Sequence, residues 1–254
     1  MDRRFLCTEC GKCCFGWLPL TLGDALTNAA RFPLALVWTA VPQGARTFSL
    51  TTRLGISIKL PKRKQIAAAI APTAYLPPTF PCPELTAAGR CGIHEHKPLR
   101  CRTMPFYPWR EEDDQAELLV PRKGWECDTS AAAPVVYHDK RIVDRRSFDL
   151  ERRELLAQAA TMQAYADYAL KYMPWIVDSL VALAQKGSGS LVTSLSSFLT
   201  AIKTIDAAAV AAQQLPVLRH FEARTNALAD LAEYHRNYAG WAREMAYLAK
   251  PKAG

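Results

Sequence analysis

The chain has 254 residues, of which 50% are hydrophobic and 22% are charged, and its formal net charge is +8. This length and composition exclude a disordered chain and allow one large domain or two modest ones. Glycine is scarce, at 12 residues, and neither the G-x-G-x-x-G nor the G-x4-G-K-[ST] pattern occurs. Dinucleotide and ATP loops are therefore not expected, because they need glycines that let the backbone approach phosphate.

No apolar segment is long enough to cross a membrane. The longest apolar run, residues 32–41, has about ten residues, whereas a bilayer takes roughly 20. Residues 1–7 are basic but no apolar stretch of signal-peptide length follows them. We therefore expect a cytoplasmic protein, and in a reducing cytosol clustered cysteines are better explained as metal ligands than as disulfides.

The positive charge is not by itself evidence for nucleic-acid binding. The basic runs, at residues 59–64, 145–146 and 152–153, are short and have no interleaved aromatic residues for base stacking. Eight metal-bound thiolates would also offset the formal excess of positive charge. We interpret these runs as solvated faces, with a patch for nucleic acid or an acidic partner as the alternative.

The chain changes character near residue 146. All eight cysteines and 14 of the 17 prolines precede residue 147, and almost everything after it has a helical pattern. The sequence therefore predicts a cysteine-cluster metal-binding domain over residues 1–146 and a helical domain over residues 147–254. The predicted fold class is α+β, mostly α: an irregular cysteine-rich domain with short β-hairpins, followed by a helical bundle.

Three local elements are predicted in the first half. Residues 21–24 resemble a capping box that opens a short helix. Residues 47–60 are rich in β-branched residues and predict a hairpin or paired strands. A second hairpin is predicted from residues 106–109 to residues 118–120, turning through the acidic run 111–114, which we interpret as a solvated turn.

The second half shows apolar residues at helical spacing. One stripe predicts a helix that ends at Pro174: Leu155, Ala159, Met162, Ala166, Ala169 and Met173. The next helix runs from Trp175 to Lys186 and stops at Gly187, after which a Gly/Ser link follows. Further helices are predicted around residues 190–204 and, with Asp206 as N-cap, around residues 206–215.

A longer stripe predicts one helix from Pro216 to about Lys250. Such a helix of about 33 residues would be roughly 50 Å long. Its apolar positions include tyrosine and tryptophan, so the stripe indicates packing in a bundle or, alternatively, a surface for a partner.

The eight cysteines carry the functional signal. They form a C-x2-C-x2-C-C loop followed by four later positions, and the candidate ligands are Cys7, Cys10, Cys13, Cys14, Cys82, Cys91, Cys101 and Cys127. The C-x2-C-x2-C spacing brings three thiolates together, as in ferredoxins that hold a [4Fe–4S] cluster, whereas structural zinc more often uses separated C-x2-C pairs. Gly11 inside the loop favours close wrapping of the chain. We therefore favour [4Fe–4S] over zinc.

The sequence leaves the grouping of these cysteines open. Side chains of Cys13 and Cys14 are expected to point apart and so to face different ligand sets, unless they bridge a multinuclear centre. Eight thiolates divide into two four-ligand sites, or into one cluster plus accessory ligands. Loss of metal is expected to unfold the first half, because a proline-rich segment has little hydrogen-bonded scaffolding of its own.

Polar residues near the later cysteines are weaker candidates. His94 and His96 are interpreted as surface residues or as neighbours of the ligands, with direct ligation as the alternative. Arg100 and Arg102 flank Cys101, where they either neutralise thiolates or are simply exposed.

This cysteine pattern resembles the YkgJ-type CxxCxxCC family, which is described as zinc- or iron-chelating and includes flagellin lysine-N-methylases. The resemblance covers roughly residues 5–130. Beyond the opening loop it is carried by Cys82-Pro83 with Leu85, Cys91 with Ile93, and Pro98 with Cys101, Arg102 and Pro105. It implies a bound iron–sulfur cluster or zinc and, in one branch, methyl transfer from S-adenosylmethionine to lysine.

Three functions follow from these observations. The favoured one is a metal-binding protein that docks a protein partner through its helical half. The second is a cluster-dependent enzyme that transfers a methyl group from S-adenosylmethionine to protein lysine. The third is a zinc-stabilised regulatory or nucleic-acid-binding module.

Overall fold

The computed structural model describes residues 2–187 and 189–250. The α-helices in these ranges are α1 (Leu22–Thr27), α2 (Phe48–Leu54), α3 (Leu99–Thr103), α4 (Arg146–Tyr172), α5 (Trp175–Lys186), α6 (Leu195–Ala201), α7 (Ala207–Thr225) and α8 (Ala232–Leu248). The strands are β1 (Arg3–Arg4), β2 (Leu18–Pro19), β3 (Leu34–Pro42), β4 (Ile56–Lys59), β5 (Gln65–Ala74), β6 (Val135–His138), β7 (Arg141–Ile142) and β8 (Ser190–Ser194). Short 3-10 turns lie at His94–His96, Glu112–Asp114, Ala116–Leu119 and Ala229–Leu231.

The larger sheet is antiparallel and has the strand order β2, β5, β3, β8, with β4 also paired to β5. β3 and β5 pair along their length, from Leu34 opposite Ala74 to Pro42 opposite Ile66. The first five residues of β3 are all buried, so both faces of this strand are covered.

The core around this sheet draws on both halves of the chain. β8 pairs with β3, and one buried cluster contains Trp38 of β3, Met162 of α4 and Tyr238 of α8. The Trp38 indole donates to the hydroxyl of Thr193 in β8 at 3.0 Å. The predicted division into residues 1–146 and 147–254 stays a prediction.

A smaller sheet, in the order β1, β6, β7, anchors the N-terminal segment. Its side chains and their neighbours form a separate buried cluster: Phe5, Phe106, Leu119, Tyr137, Ile142 and Phe148. This cluster ties the residues just before the first cysteine to the start of α4.

The predicted α+β class is confirmed, and so are several predicted helix ends. Thr21 caps α1 by accepting a hydrogen bond from the Asp24 amide, and Asp206 caps α7 in the same way. The predicted helix up to Pro174 is α4, and the next, α5, ends at Gly187, whose φ of +72° lies in the left-handed region. Ser188, in the predicted Gly/Ser link, lies outside the described residues.

The predicted hairpin over residues 47–60 is wrong in its first part. Residues 48–54 form α2, whose buried side chains Leu50, Thr51 and Leu54 follow helical spacing. Only β4 is a strand, and it pairs with β5. At Gly55, between α2 and β4, a Cβ atom would lie 2.2 Å from the Ala68 carbonyl oxygen, so this close approach requires glycine.

The predicted hairpin over residues 106–120 is wrong. This segment contains 3-10 turns and no strands, and the buried side chain of Gln115 makes hydrogen bonds with its backbone. Gln115 accepts a hydrogen bond from the Tyr107 amide and donates to the carbonyl oxygens of Tyr107, Arg110 and Glu111. The acidic run is not merely solvated, because Glu112 accepts a hydrogen bond from Arg145 at 2.5 Å.

Two helix predictions in the second half are wrong in part. Residues 190–194 form β8, whose β-branched side chains suit a strand paired to β3. The predicted helix from residue 216 to residue 250 is two helices, since α7 runs through Pro216 and ends at Thr225. The Thr225 hydroxyl donates to the Phe221 and Glu222 carbonyls, which closes the last turn.

Among the described residues, no helix has both the length and the apolar character that a membrane span requires.

Candidate metal centre

All eight predicted ligand residues line one open cavity of about 250 Å³. They come from four parts of the chain: the N-terminal loop, residues 82–91, α3, and the segment before β6. All are free thiols, two exposed and six half-buried. The structure therefore brings every predicted cysteine to the same cavity. Their role as metal ligands stays a prediction.

A short antiparallel pairing places the first cysteine beside the last. The Leu6 amide donates to the Asp128 carbonyl at 2.8 Å, and the Asp128 amide donates to the Leu6 carbonyl at 3.0 Å. Cys7 and Cys127 are the next residues along the two paired segments. They therefore stand opposite each other, the arrangement in which side chains share a face.

The C-x2-C-x2-C-C loop is tightly turned. Glu9 and Gly11 have φ values of +56° and +70°, and the Cys14 amide donates to the Gly11 carbonyl at 3.0 Å. The predicted close wrapping at Gly11 is confirmed. The expectation that Cys13 and Cys14 point apart is not met, because the turn over residues 11–14 leaves the two thiols close enough to shift each other's pKa.

A second pairing joins this loop to residues 82–91. The Cys82 amide donates to the Cys14 carbonyl at 2.7 Å, next to a bridge between Phe15 and Pro81. Residues 84–92 then fold back as a small hairpin in which Leu85 pairs with Cys91. Cys82 and Cys91 are thus held at the base of one hairpin, beside Cys14.

Cys101 is positioned by the short helix α3. The amide of Leu99, the first residue of α3, donates to the Asp24 carboxylate at 2.9 Å. Burial raises the pKa of Asp24, and the hydrogen bond from Leu99 acts in the opposite direction. A carboxylate from α1 therefore caps the helix that carries a candidate ligand.

The two arginines beside Cys101 hold α3 in place. Arg100 pairs with Glu151 of α4 at 3.4 Å, both side chains are only 4% exposed, and Arg100 also donates to the Phe106 carbonyl. Arg102 donates to the carbonyls of Glu95 and Lys97. Arg102 also lies on the cavity wall, whereas Arg100 is buried beneath it.

The two histidines of this segment differ in position. His94 lies on the cavity wall, 4.0 Å from Glu9, and is exposed. His96 is also exposed but is not among the residues that line the cavity. A surface position, as predicted, therefore fits both.

Burial and mutual contact shift the pKa values of the thiols. The hydrogen bond from Cys14 lowers the pKa of Cys13 to about 6, while the same contact raises the pKa of Cys14. Burial raises the pKa of Cys82 to about 11 and that of Cys101 to about 12. Cys13 is therefore the thiol most readily ionised at neutral pH.

Repulsion among thiolates is the second cause of these shifts. After burial, the charges of Cys10, Cys7 and Cys13 raise the pKa of Cys127. For Cys101, the neighbouring thiolates that raise the pKa are Cys82, Cys13 and Cys91. Because a bound cation reverses this repulsion, the wall is electrostatically suited to a positive ion.

The donor set fits a thiophilic metal. Besides the eight cysteine sulfurs, the described lining residues offer the Met104 thioether, two carboxylates, Glu9 and Glu84, and one imidazole, His94. Soft thiolate ligands select zinc, copper(I) and iron–sulfur clusters over magnesium or calcium. Among the described residues, no three His, Cys, Asp or Glu side chains are gathered as closely as around a bound ion. The thiols would therefore have to turn further inward to share one.

Sequence reasoning missed the aromatic side of the cavity. Phe15, Trp17 and Trp125 line it, and Phe15 and Trp17 are 43% and 39% exposed. Trp17 donates to the Tyr234 hydroxyl of α8 at 2.8 Å and lies 5.2 Å from the Tyr75 ring. The proximity of these rings to cysteines in the chain is the only signal the sequence offered.

The front part of the chain matches a known protein family. Residues 6–123 match the CxxCxxCC family, whose description is "Putative zinc- or iron-chelating domain". This part of the chain belongs to the CxxCxxCC family. No curated protein and no solved structure gave a significant match.

Membership supports a zinc- or iron-chelating cysteine cluster in this protein. The matched part of the CxxCxxCC domain contains seven of the eight cysteines, since Cys127 lies beyond residue 123. The pairing of Leu6 with Asp128 nevertheless brings Cys127 to the same cavity.

Proposed function

We propose that this CxxCxxCC protein binds an iron–sulfur cluster of the [4Fe–4S] type in the cysteine-lined cavity. The observation that carries the proposal is the convergence of eight free thiols from four parts of the chain around one cavity. Three of them belong to a C-x2-C-x2-C loop, the spacing that holds three corners of such clusters in ferredoxins. When bound, the cluster would supply electron transfer or an iron centre that binds a small ligand.

Anaerobic purification with metal and acid-labile sulfide analysis tests this proposal. We expect a brown protein with iron and sulfide in equal amounts, in steps of about four per cluster. Cys10→Ser should lose the iron and sulfide of the cluster that Cys10 holds, whereas His96→Ala, which changes an exposed side chain that does not line the cavity, should keep all of it. Stoichiometric zinc without sulfide would instead assign a structural zinc site.

Methyl transfer from S-adenosylmethionine is the enzymatic alternative. No observation on the described residues favours it over metal binding alone, so it stays a prediction. Labelled S-adenosylmethionine should then bind the cluster-loaded protein and not the Cys10→Ser variant.

The third alternative, nucleic-acid binding, receives little support from the arginine pairs near α4. Arg145 and Arg146 form ion pairs with acidic side chains, at 2.9 Å to Asp149 and 2.5 Å to Asp144. These guanidinium groups are thus already engaged within the chain. Salt-sensitive retention on nucleic acid would have to come from residues 59–64 or from the exposed Arg153.

Docking of a protein partner through the helical half also stays a prediction. The tyrosine and tryptophan stripe of α8 is largely interior, since Tyr238 and Trp241 are buried. The larger exposed aromatic side chains at the α4–α5 junction are Tyr172 and Trp175, 60% and 49% exposed. Tyr247 near the end of α8 is 75% exposed, so exposed aromatic side chains lie both at this junction and at the end of α8.

A further inference from the structure

We propose that the eight cysteines form two separate four-sulfur metal sites. The first set is Cys7, Cys10, Cys13 and Cys127, and the second set is Cys14, Cys82, Cys91 and Cys101. This inference rests on the proposed binding of metal in the cavity, and it applies equally to a cluster and to zinc, since both take four thiolates.

The first set is assembled by the pairing of Leu6 with Asp128. Its two backbone hydrogen bonds, of 2.8 and 3.0 Å, fix the register, so Cys127 stands opposite Cys7. Directly opposite residues in antiparallel segments have Cβ atoms about 4.5–5.5 Å apart, close enough for two sulfurs to reach one metal. The C-x2-C-x2-C loop then supplies Cys10 and Cys13 from the same turn.

The second set is assembled by the pairing next to Phe15 and Pro81. The 2.7 Å hydrogen bond from the Cys82 amide to the Cys14 carbonyl sets these two cysteines opposite each other. The hairpin over residues 84–92 returns Cys91 to its base. α3 supplies Cys101, held by the Asp24 cap at its start.

The two sets meet at the Cys13–Cys14 turn. The register of each pairing assigns Cys7 and Cys14 to different partners, Cys127 and Cys82, and these lie on different segments of the chain. Gly11 lies against the hairpin of the second set, where a Cβ atom would be 2.7 Å from the Gly89 carbonyl oxygen. Each set is thus held by its own backbone pairing, and the two sets form adjacent sites rather than one ring of ligands.

Anaerobic titration with Co²⁺, followed by native mass spectrometry, tests the grouping. We expect the full chain to bind two ions, and Cys7→Ser and Cys127→Ser to bind one each. The double variant Cys7→Ser/Cys127→Ser, within one set, should still bind one ion. The double variant Cys127→Ser/Cys82→Ser, across the sets, should bind none. His94→Ala, on the same wall, is the matched control and should bind two.

Other numbers of bound ions would distinguish failure of the grouping from failure of the proposed function. A full chain that binds a single ion, a within-set double variant that binds none, or a cross-set double variant that keeps one ion would overturn the grouping and leave metal binding intact. A loss of an ion in His94→Ala would overturn the four-sulfur composition. A full chain that binds no metal, as purified or after titration, would overturn the proposed function itself.

A measurement on the unaltered chain guards against variants that do not fold. The protein is loaded with one equivalent of Zn²⁺, alkylated at free thiols, and digested for peptide mass spectrometry. We expect the four cysteines of one set to be protected together. Protection of a mixture such as Cys7 with Cys82, while Cys127 and Cys14 are alkylated, would contradict the grouping.

Discussion

A single glycine controls how closely the cysteine loop fits against the rest of the site. Gly11 has a φ of +70°, and a Cβ atom there would lie 2.7 Å from the Gly89 carbonyl oxygen and 3.0 Å from the Leu85 side chain. Both the backbone conformation and the space therefore exclude a larger residue. The glycine at position 11 therefore allows the cysteine loop to approach the hairpin over residues 84–92 closely.

Gly11→Ala should destabilise the loop and weaken metal uptake. The left-handed conformation alone costs a non-glycine residue about 1–2 kcal/mol, and the clash with backbone adds to it. Gly44→Ala is the matched control, since no atom lies within 4 Å of its Cβ position and its φ is not left-handed. Denaturant unfolding and Zn²⁺ affinity, compared for both variants, check this. Equal Zn²⁺ affinities in the two variants would contradict it.

The candidate site could be predicted at the level of its cysteines and no further. The local spacing of Cys7 to Cys14 already implies a loop that gathers sulfurs, so the sequence was sufficient there. The Asp24 cap on α3 could not be predicted, because it joins residues 75 positions apart in the chain. The same holds for Trp17, whose hydrogen-bond partner Tyr234 is 217 positions away.

At the scale of elements, α3 depends on α4 for its position. The Arg100–Glu151 pair joins the helix that carries Cys101 to the longest helix among the described residues, and both side chains are almost fully buried. Burial raises the pKa of Glu151, whereas the charge of Arg100 lowers it. A buried pair of this kind adds little net stability, but removing one partner leaves an uncompensated charge in the interior.

Glu151→Ala should therefore destabilise the protein by about 3–5 kcal/mol and loosen α3. Asp144→Ala is the control, because its interactions with Arg146 are exposed and screened by solvent, so their loss should change the stability far less. Urea unfolding followed by tryptophan fluorescence measures both effects. A change of the same small size in the two variants would show that the buried pair does not hold α3.

The elements that could be predicted are those with a long apolar period or a clear cap. α4 shows its stripe over more than four turns, and α5 is bounded by Pro174 and Gly187. The short segments were ambiguous, because the apolar residues in a segment of six or seven residues fit both the helical spacing and the alternation of a strand, as at α2. β8 could not be distinguished from a helix for the same reason, since its strand character depends on pairing with β3, about 155 residues earlier in the chain.

At the scale of the whole molecule, different interactions stabilise the larger sheet and the cysteine-lined cavity. β3 and β5 pack against helices from both halves of the chain, and their residues belong to the larger core cluster. The cysteine-bearing loops have isolated pairings, at Leu6, Phe15 and Leu85, and α3 is held by Asp24 and by the Arg100–Glu151 pair. The sequence expectation that metal loss unfolds the first half stays a prediction, and we expect β3 and β5 to persist, because their residues belong to the larger core cluster.

Removal of metal should loosen the cysteine-bearing segments and leave the sheet intact. Hydrogen exchange, measured by mass spectrometry on the loaded protein and after anaerobic chelation, checks this. We expect faster exchange in residues 5–18, 80–104 and 122–130 after chelation, and unchanged protection in β3 and β5. The smaller sheet, whose buried cluster includes Phe5 beside the cysteine loop and Phe148 of α4, should respond in between. Loss of protection in β3 and β5 together with the loops would mean that metal binding and the main core form one cooperative unit.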